Sequence, residues 1–246
     1  MIQNNYFDMF SDEYYNAIGK ASHELKNMIS FVSSSYQLIS LQHPEVTDFE
    51  FWSEMGTAIN DMIKFMERTS LCRYCLKPDF APVDINELLY RLPDEADELY
   101  PDADRNFDFQ VDRRQMLVNG DASHLISALK EITANCYDAT ADGDTITITA
   151  SPNTDSTKVI ITVTNKGQFP EISFHKPGTS EFTVHQPTDA SILCSPFYTT
   201  KQKHTGLGLA IANLVCLMHN GSLTFHNRHL ENESCVCITL PLSDMR

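Results

Sequence analysis

Ala21-Ser22-His23-Glu24-Leu25-Lys26-Asn27 lies inside a run whose apolar residues fall at Tyr14, Ile18, Ala21, Leu25, Met28, Val32, Tyr36 and Ile39. The steps alternate mostly between four and three, the spacing of a heptad stripe on a long helix. The pattern breaks at Gln42-His43-Pro44-Glu45 and resumes at Trp52, Met55, Ile59, Met62, Met66 and Thr69. Two antiparallel helices joined by a short turn are expected. Two helices bury little alone, so the simplest completion is a dimer forming a four-helix bundle. Packing of the hairpin on the rest of its own chain is the other solution.

Outward from the hairpin, Lys77-Pro78-Asp79-Phe80-Ala81-Pro82 reads as a linker, because its prolines end helical order. The division expected is therefore a helical hairpin over residues 1–76 and a second domain over 83–246. In that domain residues 83–89 open a short helix with Asp84 as its cap. The acidic stretch 93–104 reads as a surface excursion. Strands are expected at 106–112, 116–118, 145–150, 159–163, 223–226 and 235–240, the last two as a hairpin. Helices are expected at 121–140 and 205–218, and a long loop at 168–191. Mixed helices and strands of this kind give an α+β sandwich with the helices on one face of a sheet. No internal repeat or low-complexity tract is evident.

Composition narrows the function. A formal net charge of -15 opposes general nucleic-acid binding, which needs basic surface. A hydrophobic fraction of 42% is that of a globular chain. No apolar run reaches the roughly 18 residues of a membrane helix. Residues 1–10 lack the basic start and apolar core of a signal peptide. The seven cysteines are an odd number and read as reduced thiols, so a cytoplasmic location is expected. Cys72-Arg73-Tyr74-Cys75 and Cys235-Val236-Cys237 are the candidates for a metal site. The second pair is spaced too closely for a zinc knuckle and lies in a strand-like run, so buried apolar roles are the better reading.

Three segments carry candidate chemistry. His23 flanks the apolar stripe, and its imidazole is a nucleophile near neutral pH. Glu24 adjoins it and can hold or deprotonate the ring. Asn27 lies one turn on, on the same face, and can orient a water. Glu131, Asn135 and Asp138 share one face of a helix, an oxygen-bearing surface suited to magnesium carrying a triphosphate. A solvated polar face is the plain alternative. His204-Thr205-Gly206-Leu207-Gly208-Leu209 opens a helix whose backbone N–H groups can approach phosphate. Just before it, Ser195-Pro196-Phe197-Tyr198-Thr199-Thr200-Lys201 adds hydroxyls and a cation. A nucleophilic imidazole and a phosphate loop in one chain point to phosphoryl transfer from a nucleotide to histidine.

In this order the segments resemble a bacterial sensor histidine kinase over nearly the whole chain from about residue 15. Ser22-His23-Glu24-Leu25-Lys26-Asn27 is similar to the phospho-acceptor box, and residues 83–89 to the start of the catalytic domain. Glu131 to Ala139 resembles the asparagine box, Pro196 to Lys201 the phenylalanine box, and His204 to Leu209 the second glycine box. The resemblance implies a Bergerat-type ATP-binding fold shared with gyrase, MutL and heat-shock chaperone ATPases. It implies ATP and Mg2+ as cofactors, with Asn135 on the metal, Gly206 and Gly208 near the phosphates, and Lys201 in contact with them. Glu131 is a metal or water contact by the same analogy, and Asp138, Thr205 and Gly167 complete the nucleotide site. It further implies a homodimer and a response-regulator receiver domain as partner.

One stretch departs from the pattern. The first glycine box reads Asp-x-Gly-x-Gly, its Asp bonding the adenine amino group. Here Asn165-Lys166-Gly167-Gln168-Phe169 puts Asn165 for the Asp and Phe169 for the second Gly. Asn165 can still accept a hydrogen bond. Loss of the charge-assisted part costs about 1 kcal/mol or somewhat more, around tenfold in nucleotide affinity.

Three functions follow. The first is ATP-dependent autophosphorylation on His23, with nucleotide between the Asn135 helix and the loop at 168–204, and transfer to a regulator aspartate. The second is a histidine phosphotransferase relay with a degenerate nucleotide domain, favoured by Asn165 and Phe169 and opposed by the intact run from Phe197 to Leu209. The third is a binding-only regulator with an ATP-controlled surface, which the His23 hairpin disfavours. Only about ten residues precede the first helix, so the input is expected from a partner or from chain beyond this sequence.

Overall fold

The computed structural model describes residues 12–101, 103–169, 172–175, 182–185, 190–201 and 204–243. The chain divides into two compact units, Met1–Leu71 and Cys72–Arg246. The division falls in the last turn of the second helix, ahead of the proline segment.

The first unit is a helical hairpin. Helix α1 spans Asp12–Gln42, a 3-10 turn spans Pro44–Asp48, and α2 spans Trp52–Tyr74. Pro44 has no N–H to extend α1 and starts the tighter turn instead. Phe51 then takes φ +67°, a left-handed conformation that bulky residues rarely hold, and the chain reverses. The tip is pinned by one aromatic pair. The Trp52 and Tyr36 rings stack at 4.8 Å. Trp52 Nε1 donates to Ser40 Oγ at 3.1 Å, and the Tyr36 hydroxyl donates to the Trp52 carbonyl at 3.1 Å. Gly56 makes room for this, since a Cβ there would lie 2.5 Å from the Tyr36 hydroxyl. Below the tip, Ile59 and Met66 are buried, while Leu25, Met28, Val32, Ile39, Met55 and Met62 remain exposed. The hairpin thus covers only part of its own heptad stripe. Of that stripe, the side chains of Tyr14 and Ile18 lie outside the described residues.

The second unit is a sandwich of helices on one face of a five-stranded sheet. Its elements are β1 Ala81–Asp84, α3 Ile85–Tyr90, α4 Leu92–Leu99, β2 Asn106–Val111, β3 Leu117–Gly120, α5 Ala122–Ala139, β4 Thr145–Pro152 and β5 Lys158–Lys166. They continue with β6 Ile172–His175, β7 Phe182–His185, α6 Ala190–Leu193, α7 Gly208–Met218, β8 Ser222–Arg228 and β9 Glu233–Pro241. The large sheet runs β2-β4-β5-β9-β8, parallel between β2 and β4 and antiparallel elsewhere. Strand alternation sets its two faces. Ile146, Ile148, Val159, Ile161, Val163, Ile238 and Phe225 are buried. Helices α5 and α7 pack on each other and on this sheet. The other face carries Thr147, Thr149, Thr162 and Cys237, all partly exposed. There Thr162 and Thr164 hydroxyls meet the Cys237 and Cys235 thiols at 3.3 and 3.4 Å. All seven cysteines are free.

Four expectations are corrected. Residues 93–104 are not a surface excursion throughout: α4 buries Leu92 and Ala96, and Lys130 of α5 holds its Glu95 at 2.8 Å. Leu92, Ala96 and Leu99 alone in an acidic octet leave too thin a stripe to read. The proline segment ends in a strand rather than a helix start, because residues 81–84 pair with β3. Asp84 is the cap as expected, accepting from Asn86 N–H at 2.9 Å. Residues 168–191 are not one long loop, since β6 and β7 form an antiparallel hairpin and α6 follows. Helix α7 begins at Gly208 rather than Thr205, leaving Thr205-Gly206-Leu207 as loop.

A buried polar knot fixes the start of α5. Asp121 caps the helix, its carboxylate accepting from the backbone N–H of Ser123 and His124 and from Asp79 N–H at 2.9 Å. Its own N–H donates to His219 Nε2 at 2.9 Å. That bond makes Nε2 the acceptor, so Nδ1 carries the proton and donates to the Val215 carbonyl at 2.7 Å. Burial alone would raise the Asp121 carboxyl, but hydrogen bonds from Ser123, Asp79 and His124 outweigh it and hold it at about 2. Burial lowers both His124 and His219 from 6.5, so both rings are neutral in the fold.

These directions set the acid response. Neutral His124 and His219 stabilise the fold fully above 6.5, and that contribution is lost as pH falls below it, because unfolding then takes up protons. The Asp121 contribution persists above its ordinary 3.8 and is lost only as pH falls towards about 2. Thermal unfolding followed by circular dichroism from pH 8 to pH 5 should show a falling midpoint; a flat profile would contradict the neutral buried rings. Asp121→Ala should cost the second unit about 2–3 kcal/mol at neutral pH, measured by urea unfolding.

Candidate functional site

Helix α5 has two faces. Leu125, Leu129, Ile132 and Cys136 are buried in the core. Glu131, Asn135 and Asp138 fall on the other side, as their spacing requires. Asn135 Nδ2 donates back to the Glu131 carbonyl at 3.1 Å, which turns Oδ1 outward. Lys201 Nζ donates to that Oδ1 at 3.2 Å and to Asp138 Oδ2 at 2.7 Å. His204 Nδ1 lies 3.9 Å from the same Asp138 oxygen. Glu131 joins the cluster through its backbone carbonyl. Its carboxylate also lies near Cys75, whose thiol is pushed up to about 12 by burial first and then by Cys72, Asp121 and Glu131.

The loop at Thr205-Gly206-Leu207 is strapped to the segment carrying Lys201. Phe197 N–H donates to the Gly206 carbonyl at 3.0 Å, and Lys201 N–H to Thr199 Oγ1 at 3.0 Å. Gly206 takes φ +66°, and a Cβ there would lie 2.5 Å from the Phe197 carbonyl carbon. Only glycine satisfies both conditions. Gly208 is the first residue of α7, and Leu207 at the cap position has no side-chain acceptor for the free N–H groups. Those groups are left for water or an anion.

The first glycine box is rebuilt. Asn165 is buried at the end of β5, its Nδ2 donating to the Lys166 carbonyl at 2.6 Å and its Oδ1 accepting from Ser234 Oγ at 3.1 Å. An amide oxygen has two lone pairs, so one remains for a ligand. Gly167 takes φ +98° and has open space on its Cβ side, the nearest atom being the Ala139 carbonyl oxygen at 3.9 Å. Phe169 does not hang free. Its N–H donates to Asn227 Oδ1 at 2.9 Å, Asn227 Nδ2 returns a bond to its carbonyl at 3.2 Å, and its ring meets Phe225 edge-on.

The expected site residues therefore fall into two groups. Asn135, Asp138 and Lys201 are directly bonded, and Gly206 is strapped to the loop segment that carries Lys201. Thr205 and Gly208 flank Gly206 in the chain, and Gly167 lies against the end of α5. His23, Glu24 and Asn27 belong to the hairpin unit, all exposed, with Asn27 Nδ2 3.2 Å from His23 Nδ1. Sequence reading missed Ser234 and Asn227, which hold Asn165 and Phe169. Each lies on a strand far along the chain from its partner, and no local pattern marks them. Of the loop expected at 168–204, residues 170–171, 176–181, 186–189 and 202–203 lie outside those described.

Asn135 Oδ1 and the Asp138 carboxylate are hard oxygen donors that fit magnesium. Among the described residues no three His, Cys, Asp or Glu side chains converge on a metal position. An ion here would take most of its oxygens from phosphate and water. The CxxC thiols form no such group either, and burial holds Cys136, Cys194 and Cys216 protonated, near 12.

With this geometry in view, residues 120–244 match the family model of histidine kinase-, DNA gyrase B- and HSP90-like ATPases, and the chain belongs to that family. Its helical hairpin followed by this ATP-binding domain is the build of a sensor histidine kinase core. Sporulation kinase C of Bacillus subtilis (strain 168) is 23% identical over 213 residues, covering 82% of this chain and 43% of the relative. The chain thus spans less than half the length of that relative. Full-length ShkA, solved with AMPPNP, shares the fold over 93% of this chain and 46% of its own at TM-score 0.67 and 16% identity. Histidine kinase ThkA, solved in complex with response regulator TrrA, does so over 94% of this chain and 63% of its own at TM-score 0.56 and 20% identity. No helix among the described residues is long and apolar enough to cross a membrane.

Gly206→Ala should destabilise the second unit by about 2 kcal/mol, from left-handed strain plus the clash with Phe197. Urea unfolding measures the loss, and titration with a fluorescent ATP analogue should show weaker binding in parallel. Unchanged stability would mean that the strap between the two loop segments is not held.

Proposed function

We propose that this chain transfers the γ-phosphoryl group of ATP to His23 and passes it to an aspartate on a response-regulator receiver domain. The observation that carries the proposal is the exposed His23–Asn27 pair on α1, in a chain whose other unit is an ATP-binding domain with a bonded Asn135–Lys201–Asp138 cluster. A ring nitrogen of His23 attacks the γ-phosphorus in line. The N–P bond forms as the bond to the bridging oxygen breaks, and ADP leaves with the electron pair. The second ring nitrogen gives its proton to Glu24 or to water. Asn135, with Glu131 as a further contact, would hold magnesium, which when bound neutralises charge on the phosphates. Thr205, Gly206 and Gly208 would present backbone N–H groups to the phosphates, Asn165 would accept from the adenine amino group, and Gly167 would let the chain pass close to the base. Asn27 would place a water for removing the phosphoryl group from the regulator.

The reading extends to assembly. Leu25, 50% exposed, and Met28, 61% exposed, line the same stripe as Val32 and Ile39. An apolar surface of this length is best covered by a second copy, completing a four-helix bundle. The wild-type chain should elute as a dimer by light scattering, and Val32→Glu should shift it to monomer. A wild-type monomer at micromolar concentration would remove this part of the proposal.

Incubation with γ-labelled ATP and magnesium tests the reaction. Acid-labile, alkali-stable label is expected, absent in His23→Ala and reduced to background in Asn135→Ala. A relay with a degenerate nucleotide domain is the second reading, favoured because Asn165 and Phe169 replace the acid and the glycine of the box. It predicts no label from ATP, but transfer from a phosphorylated receiver domain to His23.

A further inference from the structure

Every residue of the altered glycine box is held by the hairpin of β8 and β9. Asn165 Oδ1 accepts from Ser234 Oγ at 3.1 Å, and Lys166 pairs with Glu233 in the sheet. Gly167 N–H donates at 2.9 Å to the carbonyl of Asn232, a residue in the turn of that hairpin. Gln168 Oε1 lies 3.2 Å from His229 Nδ1. Phe169 ends the series. Asn227 Oδ1 accepts from its N–H at 2.9 Å, and Asn227 Nδ2 donates to its carbonyl at 3.2 Å. One side-chain amide thus satisfies both backbone groups, as a neighbouring strand would. The Phe169 ring lies edge-on to Phe225 at 5.4 Å, and Phe225 is wholly buried.

A glycine at 169 would give the box a permissive backbone, ordered only when a ligand arrives. Each residue ordered at that moment weakens binding about fivefold or more. Phenylalanine reverses this. It has fewer backbone states, its ring packs against the core, and both of its polar groups are bonded. We propose that Asn227 is a positioning residue for the nucleotide site: by bracing Phe169 it presets the loop from Asn165 to Phe169 as the chain folds. The inference rests on the nucleotide-site reading above and deepens it. Phe169 is then a working part of this site, and the fixed loop offsets affinity that Asn165 gives up in place of a carboxylate.

Titration calorimetry with AMPPNP and magnesium, together with labelling rates over a range of γ-labelled ATP, tests this on the full chain. Asn227→Ala should weaken AMPPNP binding about five- to tenfold and raise the ATP concentration for half-maximal labelling by the same factor. The labelling rate at saturating ATP should stay within about twofold, a split that general loss of structure would not give. Phe169→Gly, which restores the glycine of the box pattern, should also weaken binding, by about threefold or more; a decayed box would gain from it. Hydrogen exchange in the peptide carrying Phe169 should quicken in both variants. Circular dichroism checks that each is folded. Should Asn227→Ala not fold, Asn227→Asp keeps the acceptor for the Phe169 N–H, loses the donor, and should show a smaller loss of the same kind. Unchanged affinity in the Asn227 variant, or tighter binding in Phe169→Gly, overturns the inference and leaves the nucleotide site standing. No binding of AMPPNP by the wild-type chain overturns the site itself and the inference with it.

Discussion

Everything in the second unit depends on how α5 is seated. One face of the helix is part of the core, so Leu129, Ile132 and Cys136 fix its rotation. Asp121 fixes its start, because one carboxylate accepts from two N–H groups of the first turn and from the chain that arrives at Asp79. With rotation and axial position set, Asn135 and Asp138 can only face outward, one turn apart. The site is therefore a consequence of core packing. An amide and a carboxylate reach fixed positions because the opposite side of the same helix is apolar and buried.

The same knot links distant parts of the chain. His219, at the end of α7, accepts from the Asp121 backbone and donates to Val215. Helix α7 thereby has its C-terminal end tied to the start of α5, while its N-terminal end opens at Gly208 beside the glycine loop. The two helices that carry the Asn135–Asp138 face and the loop at Gly206 are held at opposite ends by one buried imidazole. The hairpin unit follows another logic. Tyr36 and Trp52 lock its tip, and the stripe below the tip stays largely exposed. One unit completes its core within the chain; the other leaves apolar surface for something else to cover.

How far the sequence could be read depended on element length. Helices α1, α2 and α5 were legible because each repeats its apolar spacing over several turns. Strands β4, β5, β8 and β9 were legible from β-branched alternation between turn residues. Helix α4 was hidden because Leu92 and Ala96 are its only buried described side chains, and one i,i+4 pair in acidic sequence gives no period. Strand β1 was hidden by its proline, tolerated there because the pair β1-β3 is only two-stranded. The hairpin of β6 and β7 has four residues per strand, too few to distinguish alternation from chance.

By itself the sequence determined the division into an apolar-striped hairpin and a mixed sandwich, the placing of His23 on the exposed flank of its helix, and the oxygen-bearing face of α5. These follow from periodicity, which is local. The tertiary structure alone decided that Lys201 lies on Asn135 and Asp138, that Ser234 and Asn227 hold the altered glycine box, and that His219 carries its proton on Nδ1. Each of those joins residues far apart in the chain, and a contact between distant residues leaves no spacing for one sequence to display.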